Sequence, residues 1–219
     1  MVQLRTPVAG TSEGSGHDAQ TQQTYRNEWR SRGYLPHFDG GNAVQMVTFR
    51  LADSFPLQLL TVWREELAHL SDTARDAERR KRIESYLDRG TGTAWLHDAR
   101  IAALVQDSLL HFDGARYQLH AWVIMPNHVH AMLTPTTGHP LPDIMHSWKS
   151  YTSTAANRLL KRTGEFWYRE YVDRYIRNDK HYTAAITYIE GNPVRAGLCA
   201  RVQDWPWSSG ARIREPVTI

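Results

Sequence analysis

The sequence predicts an α+β domain in which an antiparallel sheet is packed against helices on one of its faces. Strand and helix patterns follow one another in the order strand, helices, hairpin, helix, strand, helix. The hairpin makes neighbouring strands antiparallel, and the helical stretches carry apolar stripes that need a second layer for burial. At 219 residues, the chain fits one such domain with short appendages.

The first half of the chain is predicted to hold one strand and three helices. Ala43–Leu51 alternates in hydropathy and lies between Gly40-Gly41 and Pro56, which is typical of a strand. The predicted helices are Pro56–Leu70, the charged stretch 71–90 and Asp98–Phe112. The charged stretch contains a basic run, Arg79–Arg82, that we interpret as a solvated helix face rather than a binding surface.

The second half opens with the strongest hairpin signal in the sequence. Two strand patterns flank the tight turn Pro126-Asn127, namely Tyr117–Met125 and His128–Thr134. The remaining predicted elements are a helix over Leu141–Arg162, a strand over Glu170–Arg177 and a last helix from Asn178 or Asp179 to about Glu190. The last helix is predicted to end before Pro193, because a residue that precedes proline avoids the helical conformation.

Composition sets the domain limits and excludes several classes of protein. Residues 1–24 are rich in Gly, Ser, Thr and Gln and are predicted to be a disordered leader, followed by a single domain over 25–207 and a C-terminal tail over 208–219. The single cysteine excludes a disulfide framework and a multi-cysteine zinc site. No run approaches the roughly 18 apolar residues of a membrane span. Because the N-terminus lacks the apolar core of a secretory signal, we expect a cytoplasmic protein with no membrane partner.

Basic and acidic residues are nearly equal in number, but the basic residues are mostly arginine. Lys and Arg total 26 against 23 Asp and Glu, which gives a net charge of +3 and a pI of about 9.1. Of the 26 basic residues, 22 are arginine, which suits bidentate contacts to phosphates and base edges. A GC-rich genome produces the same excess, so composition alone leaves nucleic-acid binding open.

The motif His128-Val129-His130 lies in a predicted strand, directly after the hairpin turn. Alternate side chains of a strand share a face, so both imidazoles point the same way and are spaced for one metal ion. With 11 histidines in the chain, a chance occurrence is the simpler alternative for the motif taken alone. The accessible strand end favours a metal site.

A second motif lies at the end of the last predicted helix. Tyr188 and Asn192 are spaced i, i+4 and therefore share one face of the final turn. A phenol and an amide oxygen then project together at the helix end. A core tyrosine followed by a helix-terminating Asn-Pro pair is the alternative for this motif taken alone.

Together the motifs resemble the REP-associated tyrosine transposases, within the single-tyrosine HUH endonuclease superfamily, from Tyr34 to Trp207. The matching stretches are GYLPHFDGG (33–41), VTFRLAD (47–53), HAWVIMPNHVH (120–130), SWKSY (147–151), FW (166–167), DRYIR (173–177), NPVRAGL (192–198) and DWPWSS (204–209). The chain carries Tyr168 where many relatives have Gln and Gly191 where many have Asn. Neither departure falls on a residue that the motifs nominate for chemistry.

The resemblance implies a ferredoxin-like, RRM-like antiparallel sheet, the HUH endonuclease fold. It implies an enzyme that cuts single-stranded DNA beside a short palindromic hairpin of the repetitive extragenic type. By position, His128 and His130 are the implied metal ligands, Asn192 the third ligand and Tyr188 the nucleophile. The implied product is a 5′-phosphotyrosine with a free 3′-OH, and the implied metal is Mg²⁺ or Mn²⁺. Such a protein works on the nucleoid as a monomer or a homodimer.

Further DNA contacts are predicted within the matching stretches. Four cations are candidates for phosphate contacts, and one tryptophan is a candidate for stacking on an unpaired base: Lys149, Arg174, Arg177, Arg195 and Trp167. Two other functions stay open from sequence. One is a catalytically silent hairpin-binding protein that acts as a regulator or structural factor. The other is a metal-dependent hydrolase of small molecules, disfavoured because the sequence shows no further His, Asp or Glu cluster at ligand spacing.

Overall fold

The computed structural model describes residues 28–31, 36–39 and 42–212. The predicted leader 1–24 and the last seven residues of the predicted tail lie outside the described residues. The strands are β1 (Glu28–Ser31), β2 (Pro36–Asp39), β3 (Gln45–Arg50), β4 (Tyr117–Ile124), β5 (His128–Pro135) and β6 (Val172–Tyr175). The helices are α1 (Leu57–Glu66), α2 (Asp72–Leu87), α3 (Ala99–His111), α4 (Leu141–Leu159) and α5 (Asp179–Arg195). None of the helices in these ranges is both long enough and apolar enough to cross a membrane.

The central sheet has four antiparallel strands in the order β4-β5-β3-β6. Helix α3 lies in the connection from β3 to β4, and α4 connects β5 to β6. This βαββαβ order, with β3 and β5 in the middle of the sheet, is the ferredoxin-like arrangement. The predicted α+β class and antiparallel sheet are therefore confirmed. Strands β1 and β2 form a separate two-stranded sheet.

Helices cover both faces of the sheet, which corrects the prediction that they lie mainly on one face. One face packs against α3 and α4 through odd-numbered residues of β3 and β5, among them Val47, Phe49, Val129 and Ala131. The other face packs against α5 through Met46, Val123, Met132, Ala185 and Ile189. Both faces of the central strands are buried, so apolar and polar residues alternate only weakly along them. The sequence pattern therefore does not show that helices cover the second face.

Helix α5 runs through Asn192 and Pro193 to Arg195, so the prediction that Asn192 leaves the helix is wrong. A proline near the end of a helix removes only one backbone donor. The residue before a proline disfavours the helical conformation but can still adopt it. Both Asn192 and Pro193 are buried, and the N–H of Ala196 donates to the Asn192 carbonyl at 3.0 Å. Tyr188 and Asn192 remain one turn apart on one helix face, as predicted.

The C-terminal segment folds back onto the edge strand β4. The N–H of Ile124 donates to the Trp207 carbonyl at 2.8 Å, and Ser208 and Ser209 are buried. The Ser209 hydroxyl donates to the Glu190 carboxylate at 2.8 Å, which ties this segment to α5. Ser208 and Ser209, at the start of the predicted tail, therefore pack against the sheet and α5.

Candidate metal centre and active site

The two histidines of the His-x-His motif lie at the start of β5, on the face of the sheet that packs against α5. His128 and His130 are fully buried, and their Nε2 atoms are 3.1 Å apart. On the neighbouring strand β3, Thr48 is the register partner of His130. The pairing of β5 with β3 sets the position of both histidines on the sheet. The prediction that their side chains share one face is confirmed.

Asn127, in the hairpin turn, fixes which nitrogen of His128 carries the proton. The Asn127 amide nitrogen donates to the carbonyls of Thr91 and Leu87, at 2.8 and 3.3 Å. Its amide oxygen therefore faces His128 Nδ1, at 2.7 Å. An amide oxygen can only accept, so Nδ1 holds the proton and Nε2 presents a lone pair to the site.

His130 has a similar partner on β3. Its Nδ1 lies 2.7 Å from the Thr48 hydroxyl. When Nδ1 donates to that hydroxyl, Nε2 of His130 also presents a lone pair, so both imidazoles can bind one cation.

Asp88 completes a cluster that the sequence analysis missed. It directly follows α2, and its Oδ1 lies 3.7 Å from His128 Nε2. Potential ligand atoms of Asp88, His128 and His130 all lie within 4.8 Å of one another. The surrounding stretch is rich in acidic and basic residues, so nothing in the spacing distinguishes Asp88 from the exposed Asp72 of the same helix.

Helix α5 brings the phenol and the amide of the second motif to this cluster. The rings of His130 and Tyr188 meet edge to face, with centroids 5.4 Å apart. Four buried polar atoms make no hydrogen bond of normal length among the described residues, namely Tyr188 Oη, Asn192 Oδ1, Asn192 Nδ2 and Asp88 Oδ1. Their weaker interactions are those of Tyr188 with Glu84 and of Asn192 with Asp88. A buried polar group without a partner costs about 1–3 kcal/mol. Four such atoms around the histidine pair indicate a site that is completed by a ligand.

The residues present fit a divalent cation. Two nitrogen ligands about 2.1 Å from one ion and at right angles to each other lie about 3 Å apart, which agrees with the 3.1 Å between the two Nε2 atoms. Carboxylate and amide oxygens suit Mg²⁺ or Mn²⁺, whereas imidazoles also accept softer ions. The cluster of Asp88, His128 and His130 is therefore a possible metal site, and Asn192 adds an oxygen donor beside it.

Burial sets the protonation state of the histidines. It lowers the pKa of His128 to about 3. Burial, followed by the effects of His128, Arg195 and Arg174, holds the pKa of His130 well below its ordinary value. Both imidazoles are therefore neutral at neutral pH, which is the state that binds metal.

Two carboxylates and a phenol lie close together at the site, and a negative charge on any one of them disfavours the ionised form of the others. Burial raises the pKa of Glu84 and of Asp88, and the latter is partly lowered again by Arg195 and Asn192. Burial, and then the charges of Glu84 and Asp88, raise the pKa of Tyr188. The phenol is thus protonated at neutral pH, and a cation held among these groups would favour its ionisation.

Arg195, a predicted phosphate contact, lies at the mouth of the site. Its guanidinium carbon is 4.3 Å from the centre of the Tyr188 ring, and Nη2 lies 3.8 Å from Asp88 Oδ2. The side chain is 45% exposed. A phosphate that enters from solvent can therefore reach the Arg195 guanidinium, which lies next to the phenol.

Two predicted DNA contacts, Trp167 and Lys149, have hydrogen-bond partners within the domain. Trp167 is 5% exposed, packs edge to face on Phe49 and donates its indole N–H to Thr152 at 2.8 Å. Its burial leaves no face on which a base could stack. The Lys149 ammonium donates to the carbonyls of Tyr168 and Arg169, at 2.7 and 2.6 Å, so it holds this loop against α4. Burial, and then Arg50, lower the pKa of Lys149 to about 8.

The other two predicted contacts, Arg174 and Arg177, lie together beside the site. Both line a groove of 480 Å³ between α2 and β6. Arg174 also lowers the pKa of both His130 and Tyr188, so its charge acts on the site itself.

Comparison with known proteins supports the resemblance seen in the motifs. Residues 100–192 match the family model described as Transposase IS200 like. The REP-associated tyrosine transposase of Escherichia coli (strain K12) is 29% identical over 93 residues, which cover 42% of this chain and 54% of that protein. A Haemophilus influenzae protein named provisionally for the same family is 40% identical over 53 residues, which cover 24% of this chain and 30% of that protein. The chain thus spans about half the length of the first curated relative and under a third of the second.

The fold has a counterpart among solved structures. The structure of a REP-associated tyrosine transposase bound to a REP hairpin matches with a TM-score of 0.50 and 18% sequence identity, covering 79% of each chain. This likeness agrees with the ferredoxin-like arrangement of the sheet. Together these matches confirm that the chain resembles the REP-associated tyrosine transposases.

Proposed function

We propose that this protein is a metal-dependent single-strand DNA endonuclease and strand transferase that cleaves beside short palindromic hairpins. One observation carries the proposal. The phenol of Tyr188 shares a helix face with the Asn192 amide and meets the ring of His130, whose Nε2 lies 3.1 Å from that of His128. A nucleophile beside a metal-ligand cluster is the arrangement that phosphodiester transfer requires.

The residues that would hold the ion are His128, His130, Asn192 and Asp88. A bound Mg²⁺ or Mn²⁺ supplies neutralisation of charge on the scissile phosphate and alignment of that group for in-line displacement. The hydrogen bonds from Asn127 and Thr48 hold the two rings in position without any ion. The neutral state of both histidines keeps the site ready for a cation at neutral pH.

Tyr188 is the proposed nucleophile. Its phenol oxygen forms a bond to the scissile phosphorus, and the bond from phosphorus to the 3′-oxygen breaks. The proton that the phenol loses balances the one that the 3′-oxygen gains, and the product is a 5′-phosphotyrosine with a free 3′-OH. Because the phosphodiester energy stays in the covalent link, the 3′-OH of another end can reverse the step, which is strand transfer.

Arg195 is the proposed phosphate contact at this step. Its guanidinium lies over the Tyr188 ring and lowers the pKa of the phenol, against the effect of Glu84 and Asp88. An exposed arginine can also donate two parallel hydrogen bonds to a phosphate.

The proposed partner is a single-stranded DNA hairpin of the repetitive extragenic palindrome type. This partner is supported by the names of the relatives and by the solved relative that binds a REP hairpin. Short palindromes in the DNA that flanks the gene would nominate the substrate directly.

One observation favours a second candidate function, a catalytically silent hairpin-binding protein. The Tyr188 hydroxyl is buried, so a phosphate reaches it only if the groups around it move. Binding without cleavage would follow if they do not.

A covalent adduct assay separates the two candidates. The full chain is incubated with Mn²⁺ and a labelled oligonucleotide that contains a palindrome from the flanking DNA, and denaturing gels are read for a protein–DNA band. We expect the band with the wild type and its loss in Tyr188→Phe. Tyr182 lies on the same helix as Tyr188, with its ring against His120 of β4, so Tyr182→Phe is the matched control and is expected to retain the band. Tight binding without an adduct under any divalent ion would support the silent protein instead.

A further inference from the structure

The groove between α2 and β6 carries a concentration of positive charge that the active-site chemistry does not use. It is lined by Ala77, Arg80, Lys81, Glu84, Arg174, Tyr175, Arg177 and His181. Four permanent cations thus face one carboxylate. This single groove holds as much excess positive charge as the net +3 of the whole chain.

These four cations lack the acidic partners that other arginines have. In the same basic run, Arg79 pairs with Asp76 at 3.0 Å, and Arg82 pairs with Glu66 and Glu78. In the described part of the chain, by contrast, the side chains of Arg80, Lys81, Arg174 and Arg177 form no ion pair. The basic run is therefore not one uniform solvated face, because its two outer arginines pair with carboxylates whereas Arg80 and Lys81 line the groove.

Arg174 is the least satisfied of the four. Its Nη2 contacts the sulfur of Met46 at 3.1 Å, a weak acceptor, and its Nε is buried without a partner. A buried guanidinium nitrogen without an acceptor is costly, and an anion in the groove would satisfy it.

The groove leads directly to the proposed active site. Arg80, Lys81 and Glu84 are spaced i, i+1 and i+4 and share the groove-facing side of α2, and Asp88 follows Glu84 by one further turn. From Arg80 to Asp88 the helix rises about 12 Å. At the near end, the charges of Glu84 and Arg174 both act on the phenol of Tyr188.

We propose that this groove holds the phosphate backbone of the unpaired DNA strand next to the scissile phosphate, which deepens the proposed function and rests on it. A groove lined by cations and an aromatic ring, here Tyr175, is a common way for proteins to bind single strands without reading their sequence. Arg80 and Lys81 lie on the α2 wall of the groove, and Arg174 and Arg177 lie on the β6 wall or just after it, so the cations can hold one backbone between them. The DNA contact surface thereby gains Arg80 and Lys81, which the motifs of the family resemblance do not contain.

The test is a binding measurement on the full chain carrying Tyr188→Phe, so that no cleavage occurs. The probes are an oligothymidylate of about 20 nucleotides and a blunt duplex of the same length, titrated between about 50 and 200 mM salt. Three groove cations are removed together in Arg80→Ala/Lys81→Ala/Arg177→Ala, all at positions at least partly open to solvent. The control, Arg100→Ala/Arg158→Ala/Arg201→Ala, removes the same charge from α3, from α4 and from the segment that follows α5.

We expect the groove variant to bind the oligothymidylate at least about tenfold more weakly, and its salt slope to fall by about 2, near 0.7 for each lost phosphate contact. The control variant is expected to keep the affinity within about twofold. Equal affinities of the two variants would overturn the proposal, as would an equal loss of duplex and single-strand binding.

The outcome is independent of the adduct assay. If the wild type forms the Tyr188 adduct while the groove variant binds normally, the groove proposal fails and the proposed function stands. If the groove variant loses single-strand binding while the wild type forms no adduct, the groove is a single-strand binding surface and the proposed cleavage function fails.

Discussion

Helices α5 and α2 face the histidine pair from different parts of the chain, and they differ in how their contributions are encoded. Helix α5 supplies Tyr188, Asn192 and Arg195 within one stretch that falls inside a recognisable motif. Helix α2 supplies Glu84, and Asp88 lies just beyond its end. Both belong to a stretch with many charged residues, so the sequence pattern does not distinguish these two carboxylates from their neighbours. The family model matches residues 100–192 and so includes Tyr188 and Asn192 of α5 but no residue of α2.

The difference shows that a core covered by the family model and a helix outside it can contribute side chains to the same site. The core positions the proposed nucleophile and the imidazoles, whose geometry follows from strand alternation and helical spacing. The unmatched helix adds negative charge and an oxygen donor to that geometry, together with the basic side of the groove. We therefore expect changes in α5 to abolish the chemistry and changes in α2 to tune metal and DNA affinity.

The largest expected effect on metal binding comes from α5. Asn192→Ala removes an oxygen donor from a fully buried position. We expect Mn²⁺ affinity to fall about 100-fold, or about 2.7 kcal/mol, measured by calorimetry on the full chain. Asn42→Ala, an exposed amide, is the control and should bind as the wild type does. An unchanged Mn²⁺ affinity in Asn192→Ala would remove Asn192 from the ligand set.

The two buried histidines between the helices predict a pH-dependent stability. The folded-state pKa values of His128 and His130 are lowered, so the unfolded chain binds protons that the folded chain does not once the pH drops below about 6.5. The free energy of unfolding should therefore fall with pH between 6.5 and 5, by up to roughly 1.4 kcal/mol per pH unit for each histidine. His120 and His181, whose pKa values are also lowered, act in the same direction.

Chemical denaturation in EDTA at a series of pH values measures this slope. His128→Gln should reduce the slope, because it removes one of the titrating groups. A stability that stays constant from pH 7 to pH 5 would contradict the buried, neutral state of the pair.

A smaller effect is expected from α2. Asp88→Asn keeps an oxygen donor but removes its charge, so Mn²⁺ affinity should fall about tenfold, or about 1.4 kcal/mol. Asp72→Asn, at the exposed start of the same helix, is the matched control. A loss as large as that of Asn192→Ala would erase the difference between the two helices, and no loss would exclude Asp88 from the site.

The smallest expected effect is a gain in stability within α5. Gly191 is helical, and a Cβ there would meet no atom within 4 Å. Gly191→Ala should therefore raise the free energy of unfolding by about 0.5–1 kcal/mol, because glycine loses more backbone freedom on folding than alanine does. Thermal melts measure the gain, and a lower melting temperature would show that the helix end needs the glycine.

The sequence predicted those parts of the site that depend on local geometry. The shared face of His128 and His130 follows from the two-residue period of a strand, and that of Tyr188 and Asn192 from the helical period. The continuation of α5 through Pro193 could not be predicted, because burial of Asn192 and Pro193 outweighs the local preference of a residue before proline.

Parts that depend on tertiary packing were outside the reach of sequence patterns. Asp88 gains its role from the packing of α2 beside β5, and Asn127, predicted only as a turn residue, gains its role from the carbonyls that it bridges. Trp167 was expected on DNA because it lies in a matching stretch, yet the core buries it. A pattern predicts which residues share an element, whereas the neighbours of that element come only with the fold.

The most direct test of the central claim is to identify the amino acid that carries the DNA. The wild-type chain is trapped with the labelled hairpin and Mn²⁺, digested with nuclease and protease, and mapped by mass spectrometry. We predict a single nucleotide-bearing peptide with the phosphate on Tyr188. A phosphate on Tyr182, on Tyr175 or on any other residue would contradict the assignment of the nucleophile.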